Sequence, residues 1–239
     1  MTFGTSGKLY LSDLVMYDRQ TESLWSQIEG RAIAGVQTGA QLERISVQTV
    51  TWSQWRDAHP DGWVLSRDTG ADRDYGRNPY VGYDEESSDP FLFDGEADPR
   101  FAPKERVIGL GDPGDPVAVS LKALSKARVL ELDVSGDAVV IWAVEGLRSA
   151  LDTADIAEGR ELAASGAFLR MVNGRQLTFA AADEGTFRDN ETGSTWDILG
   201  RALTGPLEGS RLEPAPHLDT FWFSWAAFHP ETRVLVPSE

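Results

Sequence analysis

Cysteine is absent from the 239 residues, and with it go disulfides, thiolate nucleophiles, zinc–thiolate sites and iron–sulfur clusters. Lysine is scarce. The 22 basic side chains include only Lys8, Lys104, Lys122 and Lys126 beside arginine, against 38 acidic ones, for a formal net charge of -16. So acidic a chain offers no basic face for phosphates, which argues against nucleic acid as a partner and against an anionic membrane surface. Long apolar runs are missing too: the longest, Ala138 to Val144, falls far short of the roughly 20 residues of a membrane helix. Met1-Thr2-Phe3-Gly4 has neither the basic nor the apolar region of a signal peptide. The chain as encoded reads as cytoplasmic, and as extracytoplasmic only if its true start lies upstream.

What is present is enough to bury a core. Apolar residues make up 41% and eight tryptophans are included, which excludes wholesale disorder and allows one large domain or two small ones. Self-similarity organises the chain. Asp18, Thr21, Ser23 and Trp25 recur as Asp189, Thr192, Ser194 and Trp196. After a one-residue gap Gly30-Arg31-Ala32 matches Gly200-Arg201-Ala202, and Trp52, Trp55, His59-Pro60 and Val64-Leu65 match Trp222, Trp225, His229-Pro230 and Val234-Leu235. Six of the eight Trp fall in this register. The reading is a duplicated unit whose copies are unequal, because the second has a long upstream portion and the first has none. Either the true start lies upstream or a half-repeat has been lost, and an unpartnered half-unit leaves a sheet edge or an apolar face uncovered.

The expected fold class is α+β and β-rich, two tandem pseudo-repeats of short strands each closed by a Trp-bearing helix, the first incomplete. The divisions are 1–65 for the incomplete first repeat, 66–104 for an acidic connecting loop and 105–239 for the second repeat. Strands are expected at 106–110, 117–120, 129–134 and 138–143, with hairpin turns at Ser135-Gly136-Asp137 and Asn173-Gly174. Thr51 and Thr220 read as helix N-caps, with Pro60 and Pro230 stopping the helices. Short helices are expected at 121–126 and near 153–164, and the two Trp-bearing helices are expected to pack against each other.

Motifs for chemistry are weak. Gly109-Leu-Gly111-Asp-Pro-Gly114 spells the dinucleotide fingerprint, yet Pro113, Asp115 and Pro116 forbid the helix that would meet a pyrophosphate. A turn is expected, and no nucleotide cofactor. Gly4-Thr-Ser-Gly7-Lys8 lacks the spacing of a phosphate loop. His59 and His229 each end a helix, where an imidazolium meets the negative end of the dipole; the other reading brings the two together as ligands of a divalent metal. His217 reads as a loop residue. Asp18 and Asp189 bond their own turns, and Ser12, Asp13, Asp18 and Ser23 with His59 offer a hydrolase arrangement without a nucleophile elbow. The acidic clusters Asp68, Asp72, Asp74 and Asp94, Glu96, Asp98 do not match the EF-hand spacing and read as a solvated loop.

The run Gly7-Lys-Leu-Tyr10-Leu-Ser-Asp13-Leu-Val-Met16-Tyr17-Asp18-Arg19-Gln-Thr21-Glu-Ser23-Leu-Trp25-Ser-Gln27 resembles an uncharacterised prokaryotic family catalogued as a domain of unknown function, numbered in the low three thousands. The resemblance extends through Pro103-Lys-Glu-Arg-Val107 and Glu191-Thr-Gly-Ser-Thr-Trp-Asp197 to Phe221-Trp-Phe-Ser-Trp-Ala-Ala-Phe-His-Pro230. It implies no activity. It does imply a further upstream half-copy with a Cys-x-x-Cys-Gly-like stretch, and frequent export or membrane anchoring, none of which this sequence carries.

Taken together, the residues point to a non-enzymatic binding or structural module. A small-molecule groove is expected between the copies near Tyr10, Asp13, Tyr17, Asp18 and Trp25. The alternative is a metal-dependent or redox enzyme, using His59 and His229 or completed by an upstream Cys-containing half-repeat.

Overall fold

The structure, a computed structural model, describes residues 1–238 apart from Asp112, with Glu184 described by its main chain alone. Seventeen strands and three α-helices are present among these residues, so the molecule is β-rich α+β. Strands β1 (Phe3–Tyr10), β2 (Asp13–Asp18), β3 (Leu24–Ser26) and β4 (Arg31–Ala34) form an antiparallel meander, followed by an extended segment and helix α1 (Trp52–Ala58). Strands β5 (Arg106–Leu110) and β6 (Val117–Ser120) lead into α2 (Leu121–Ala127), then β7 (Val129–Val134), β8 (Asp137–Arg148) and β9 (Glu161–Leu169). After the short hairpin β10 (Met171–Val172) and β11 (Arg175–Gln176), a second meander comprises β12 (Phe179–Ala181), β13 (Phe187–Asp189), β14 (Thr195–Trp196) and β15 (Ala202–Thr204). Strand β16 (His217–Phe221), α3 (Trp222–Phe228) and β17 (Arg233–Leu235) close the chain.

The layering follows from side-chain alternation along residues 138–144 of β8, which are apolar without a break, with 139–143 buried on both faces. Val139, Ile141 and Ala143 pack on one side with Ile108, Leu110, Val117, Val119 and Leu124. Val140 and Trp142 pack on the other with Phe168 of β9 and with Phe179, Phe187 and Trp196 of the second meander. The sheet ordered β16-β5-β6-β17 is likewise covered twice, because Val107 and Ala118 turn outward onto Trp222, Trp225 and Ala226 of α3. The layers therefore run α3, the β5–β6 sheet, the β7–β8–β9 sheet, and the second meander. Gly109 lets the Trp225 ring lie flat on β5, since a Cβ there would collide with the indole.

Most expected elements form where the pattern places them, and the departures have local causes. The 135–136 and 173–174 turns carry positive φ at both central residues, as tight hairpins require. The stretch near 153–164 is a short 3-10 turn at Ile156–Glu158 followed by β9, because Ala163, Ala164 and Ala167 line the two cores in alternation. Thr51 caps α1 with a capping box that includes Gln54, but the cap of α3 is Phe221, not Thr220. Thr220 is the fourth residue of β16 and pairs with Val107. Phe221 has no acceptor, so the first N–H groups of α3 donate instead to the Glu105 and Pro103 carbonyls, both at 2.8 Å.

The two helices do not serve one shared interface. Helix α1 lies by the second meander, where Arg201 Nη1 donates to the Ala58 carbonyl at 3.0 Å and Gln48 Nε2 to the carbonyls of Ser165 and Ile198. Helix α3 reaches the first meander instead, with the Phe228 and Tyr10 rings edge to face at 5.6 Å. The 66–104 segment docks through aromatics, Phe93 on Phe223 and Phe101 on Trp222, and also through charge. Asp84, fully buried, accepts from Ser149 and pairs with Arg160 at 2.9 Å.

Candidate functional site

The meander turns are built on buried carboxylates. Asp18 accepts from the Thr21 N–H at 2.6 Å, the Thr21 hydroxyl at 2.7 Å and the Trp25 indole at 3.1 Å. Asp189 accepts from the Thr192 N–H at 2.6 Å, the Thr192 hydroxyl at 2.9 Å and the Trp196 indole at 2.9 Å. Burial alone would raise the pKa of both, but these donors outweigh it and hold each carboxyl below its usual range. Ser23 and Ser194 complete the motif: each bonds the neighbouring threonine hydroxyl, at 2.8 and 2.7 Å.

The residues expected to line a groove are thus largely spoken for. Asp18 and Trp25 lie in the interior, bonded to each other. Asp13 accepts from Ser26 and from the Gln27 and Ile28 N–H groups, fastening the turn after β3. The Tyr17 ring covers Gly4 and stands 5.6 Å from the Arg19 guanidinium. Tyr10, half exposed, rests on Phe228. The hydrolase arrangement is not assembled: the Ser12 hydroxyl donates to the Phe91 carbonyl, and Ser23 and Asp18 are closed within their turn.

The two helix-ending histidines stand in different surroundings. His59 is exposed against Trp55, with ring centroids 5.4 Å apart. His229 is tucked against Trp225 at 4.0 Å and lines a cleft beside Arg44. Burial, then the Arg44 charge, lowers its pKa, which works against an imidazolium at the helix end. His217 is no loop residue. It is buried in β16 with Nδ1 2.8 Å from the Ala215 carbonyl, and burial lowers its pKa as well. Among the described residues no group of three or more His, Asp or Glu is placed to hold a metal ion. In the acidic segment, Asp98 pairs with Arg100 at 2.8 Å and Asp74 with Arg77 at 4.0 Å.

The fingerprint glycines likewise serve packing. Gly109 sits in β5 under Trp225, Gly111 turns the chain at φ +91 against the Asp115 carbonyl, and a strand follows. Asp112, within that motif, lies outside the described residues.

The arrangement with chemical capacity is a cleft of about 580 Å³ between the first meander and the two central sheets. Leu110, Val134, Val139, Leu169 and Ala215 supply an apolar floor, and Leu42 faces it. Glu29, Arg31, Gln41 and Arg44 line it from the meander side, Ser135 and Asp137 from the β7–β8 turn, and His229 from the end of α3. Arg44 is held by a bond from its Nη2 to the Ile28 carbonyl at 3.1 Å, which fixes one edge of the guanidinium. Of these residues only His229 carried a functional signal in the sequence; Arg31 stood out as part of the repeat, Asp137 as part of a hairpin turn and Leu110 within a fingerprint read as a turn. The rest come from an extended segment without a motif and from strands far apart in the chain. Burial alternates along 41–50 with Leu42 and Arg44 turned inward, but the apolar residues 42, 45, 47 and 50 do not, so the sequence pattern does not disclose it.

No helix among the described residues is long and apolar enough to cross a membrane. Comparison with curated proteins and with solved structures finds no match. Residues 1–232 match one family description, "Protein of unknown function (DUF3179)", and the chain belongs to that family.

Proposed function

We infer that the protein is a non-enzymatic binding module made of two equivalent units, 1–65 and 105–239, joined by the 66–104 segment, and that the cleft between the units holds a small ligand. The equivalence is supported by matching bonds beyond the aspartate turns. Leu42 N–H donates to the Gly30 carbonyl at 2.8 Å and Leu212 N–H to the Gly200 carbonyl at 2.9 Å; His59 and His229 N–H groups both donate to the carbonyl of the tryptophan four residues back, at 2.9 Å.

The observation that carries the ligand reading is the cleft itself. Its volume of about 580 Å³ lies in the range of sites for small organic molecules, and it joins an apolar floor to a polar wall of Glu29, Arg31, Gln41, Arg44, Ser135, Asp137 and His229. Arg31 and Arg44, which form no ion pair with the Glu29 and Asp137 carboxylates that also line the cleft, favour a planar anionic head, and the aliphatic floor favours an apolar body. The ligand class is therefore an aliphatic carboxylate or a close isostere. Titration with hexanoate, octanoate and decanoate tests this, read by thermal shift and by the emission of Trp225, which His229 separates from the cleft. The expected result is saturable stabilisation that is lost in Arg44→Ala and in Ala215→Trp, which fills the floor. Stabilisation that is absent, or unchanged in both variants, overturns the reading.

A further inference from the structure

The meander wall of the cleft carries charges of both signs that the chain itself leaves unmatched. Segments 28–31 and 41–44 are fastened side by side. Arg44 Nη2 donates to the Ile28 carbonyl at 3.1 Å, Gln41 Nε2 to the Glu29 carbonyl at 2.7 Å, and the Leu42 N–H to the Gly30 carbonyl at 2.8 Å. These bonds gather the Glu29 carboxylate and the Arg31 and Arg44 guanidinium groups along one side of the cleft. Among the described residues no ion pair joins them, and the Glu29 and Arg31 side chains make no hydrogen bond. Pairing is the habit elsewhere in the chain: Arg100, Arg106, Arg170 and Arg201 each hold a carboxylate at 2.8 Å or less.

A purely anionic ligand answers only one of the two signs. Its carboxylate meets the guanidinium groups, yet it also strips water from the half-buried Glu29 and sets a like charge beside it. A ligand with an ammonium one carbon away from its carboxylate answers both. We propose that the cleft takes an α-amino acid with an aliphatic side chain, its carboxylate on Arg31 and Arg44, its ammonium on Glu29, and its side chain on the floor of Leu110, Val139, Leu169 and Ala215. This narrows the ligand class inferred above and rests on that reading of the cleft. The placing of the charges selects the α position. Glu29 and Arg31 are separated by one residue on the same wall, so opposite charges are wanted close together. An ammonium at the far end of the carbon chain would instead lie against the aliphatic floor, where a charge is costly. Asp137 lines the cleft from the β7–β8 turn but is exposed, so it keeps its hydration without a partner.

Calorimetric titration of the full chain at neutral pH with octanoate, 2-aminooctanoate and 8-aminooctanoate tests this, since the three share one carbon chain. The expected result is that 2-aminooctanoate binds about tenfold or more tighter than octanoate, and 8-aminooctanoate no tighter than octanoate. Glu29→Gln should leave the melting temperature unchanged, abolish the advantage of 2-aminooctanoate, and bind octanoate at least as tightly as the parent. Arg44→Ala should weaken octanoate and 2-aminooctanoate alike. The amino-acid assignment is overturned, with the cleft reading left standing, if octanoate binds and 2-aminooctanoate binds no tighter. It is overturned in the same way if the advantage survives in Glu29→Gln, or if 8-aminooctanoate binds as tightly as 2-aminooctanoate. Binding of none of the three overturns it together with the cleft reading.

Discussion

The indole N–H of Trp196 donates to Asp189 Oδ2 at 2.9 Å with neither residue exposed to solvent. A carboxylate so placed satisfies three donors of its own turn and joins the meander to the aromatic core around Trp142 and Phe187. The same four residue types, at the same spacing, make the same bonds at Asp18 and Trp25. A recurrence of that kind in sequence is a recurrence of local geometry, because every partner lies within seven residues of the aspartate.

Asp189→Ala should lower stability by roughly 3 kcal/mol, since it strands a buried indole N–H, a backbone N–H and a hydroxyl at once. Asp189→Asn, which keeps one acceptor oxygen, should cost less. Asp18→Ala should destabilise in the same direction. Urea denaturation of the three variants checks this, and an unchanged midpoint for Asp189→Ala would show that water replaces the lost acceptor.

Gly109→Ala and Gly114→Ala should part company. A Cβ at Gly109 meets the Trp225 ring, whereas one at Gly114 meets open space. The first should destabilise by roughly 3 kcal/mol through overpacking and the second hardly at all. Thermal melts of the two proteins decide the matter. Equal behaviour would mean that α3 can lift from β5 without penalty.

Stability should fall on acidification in two stages. Burial lowers the pKa of His217 and His229 below the histidine range. Both groups therefore bind protons more readily unfolded than folded, and their contribution, complete above about pH 6.5, is lost as the pH falls toward the depressed folded values. For Asp189 and Asp18, hydrogen bonds outweigh burial to lower the pKa; for Asp98 the Arg100 bond leads, and for Asp115 the Ser135 N–H. Their contribution is complete above about pH 4 and is lost below it. Urea midpoints across the acid range should show both stages, and the double variant His217→Gln, His229→Gln should flatten the upper stage alone.

Features that depend on neighbours in sequence were legible before any coordinates. The aspartate turns, the positive-φ hairpins, the Thr51 cap and the histidines that end both helices all depend on contacts within a few residues. The Thr220 cap was misplaced by one residue, since Phe221 holds the cap slot while carbonyls of residues 103 and 105 satisfy the helix. The helix expected near 153–164 was lost to β9 because small alanines serve a strand buried on both faces as well as they serve a helix. The cleft was out of reach. Its floor joins Leu110, Val139, Leu169 and Ala215, whose meeting depends on strand order, and strand order leaves no local trace.

The placing of α1 on the second meander, and of Phe228 of α3 on the first, has a mechanical consequence. One hydrogen bond from Arg201 to α1 and one ring pair from Phe228 to Tyr10 thus cross between the residues before and after the 66–104 segment, so these parts touch through more than the connecting chain. Proteolytic nicking within that segment would leave two fragments still gripping one another. They would co-elute under native conditions and separate only in denaturant.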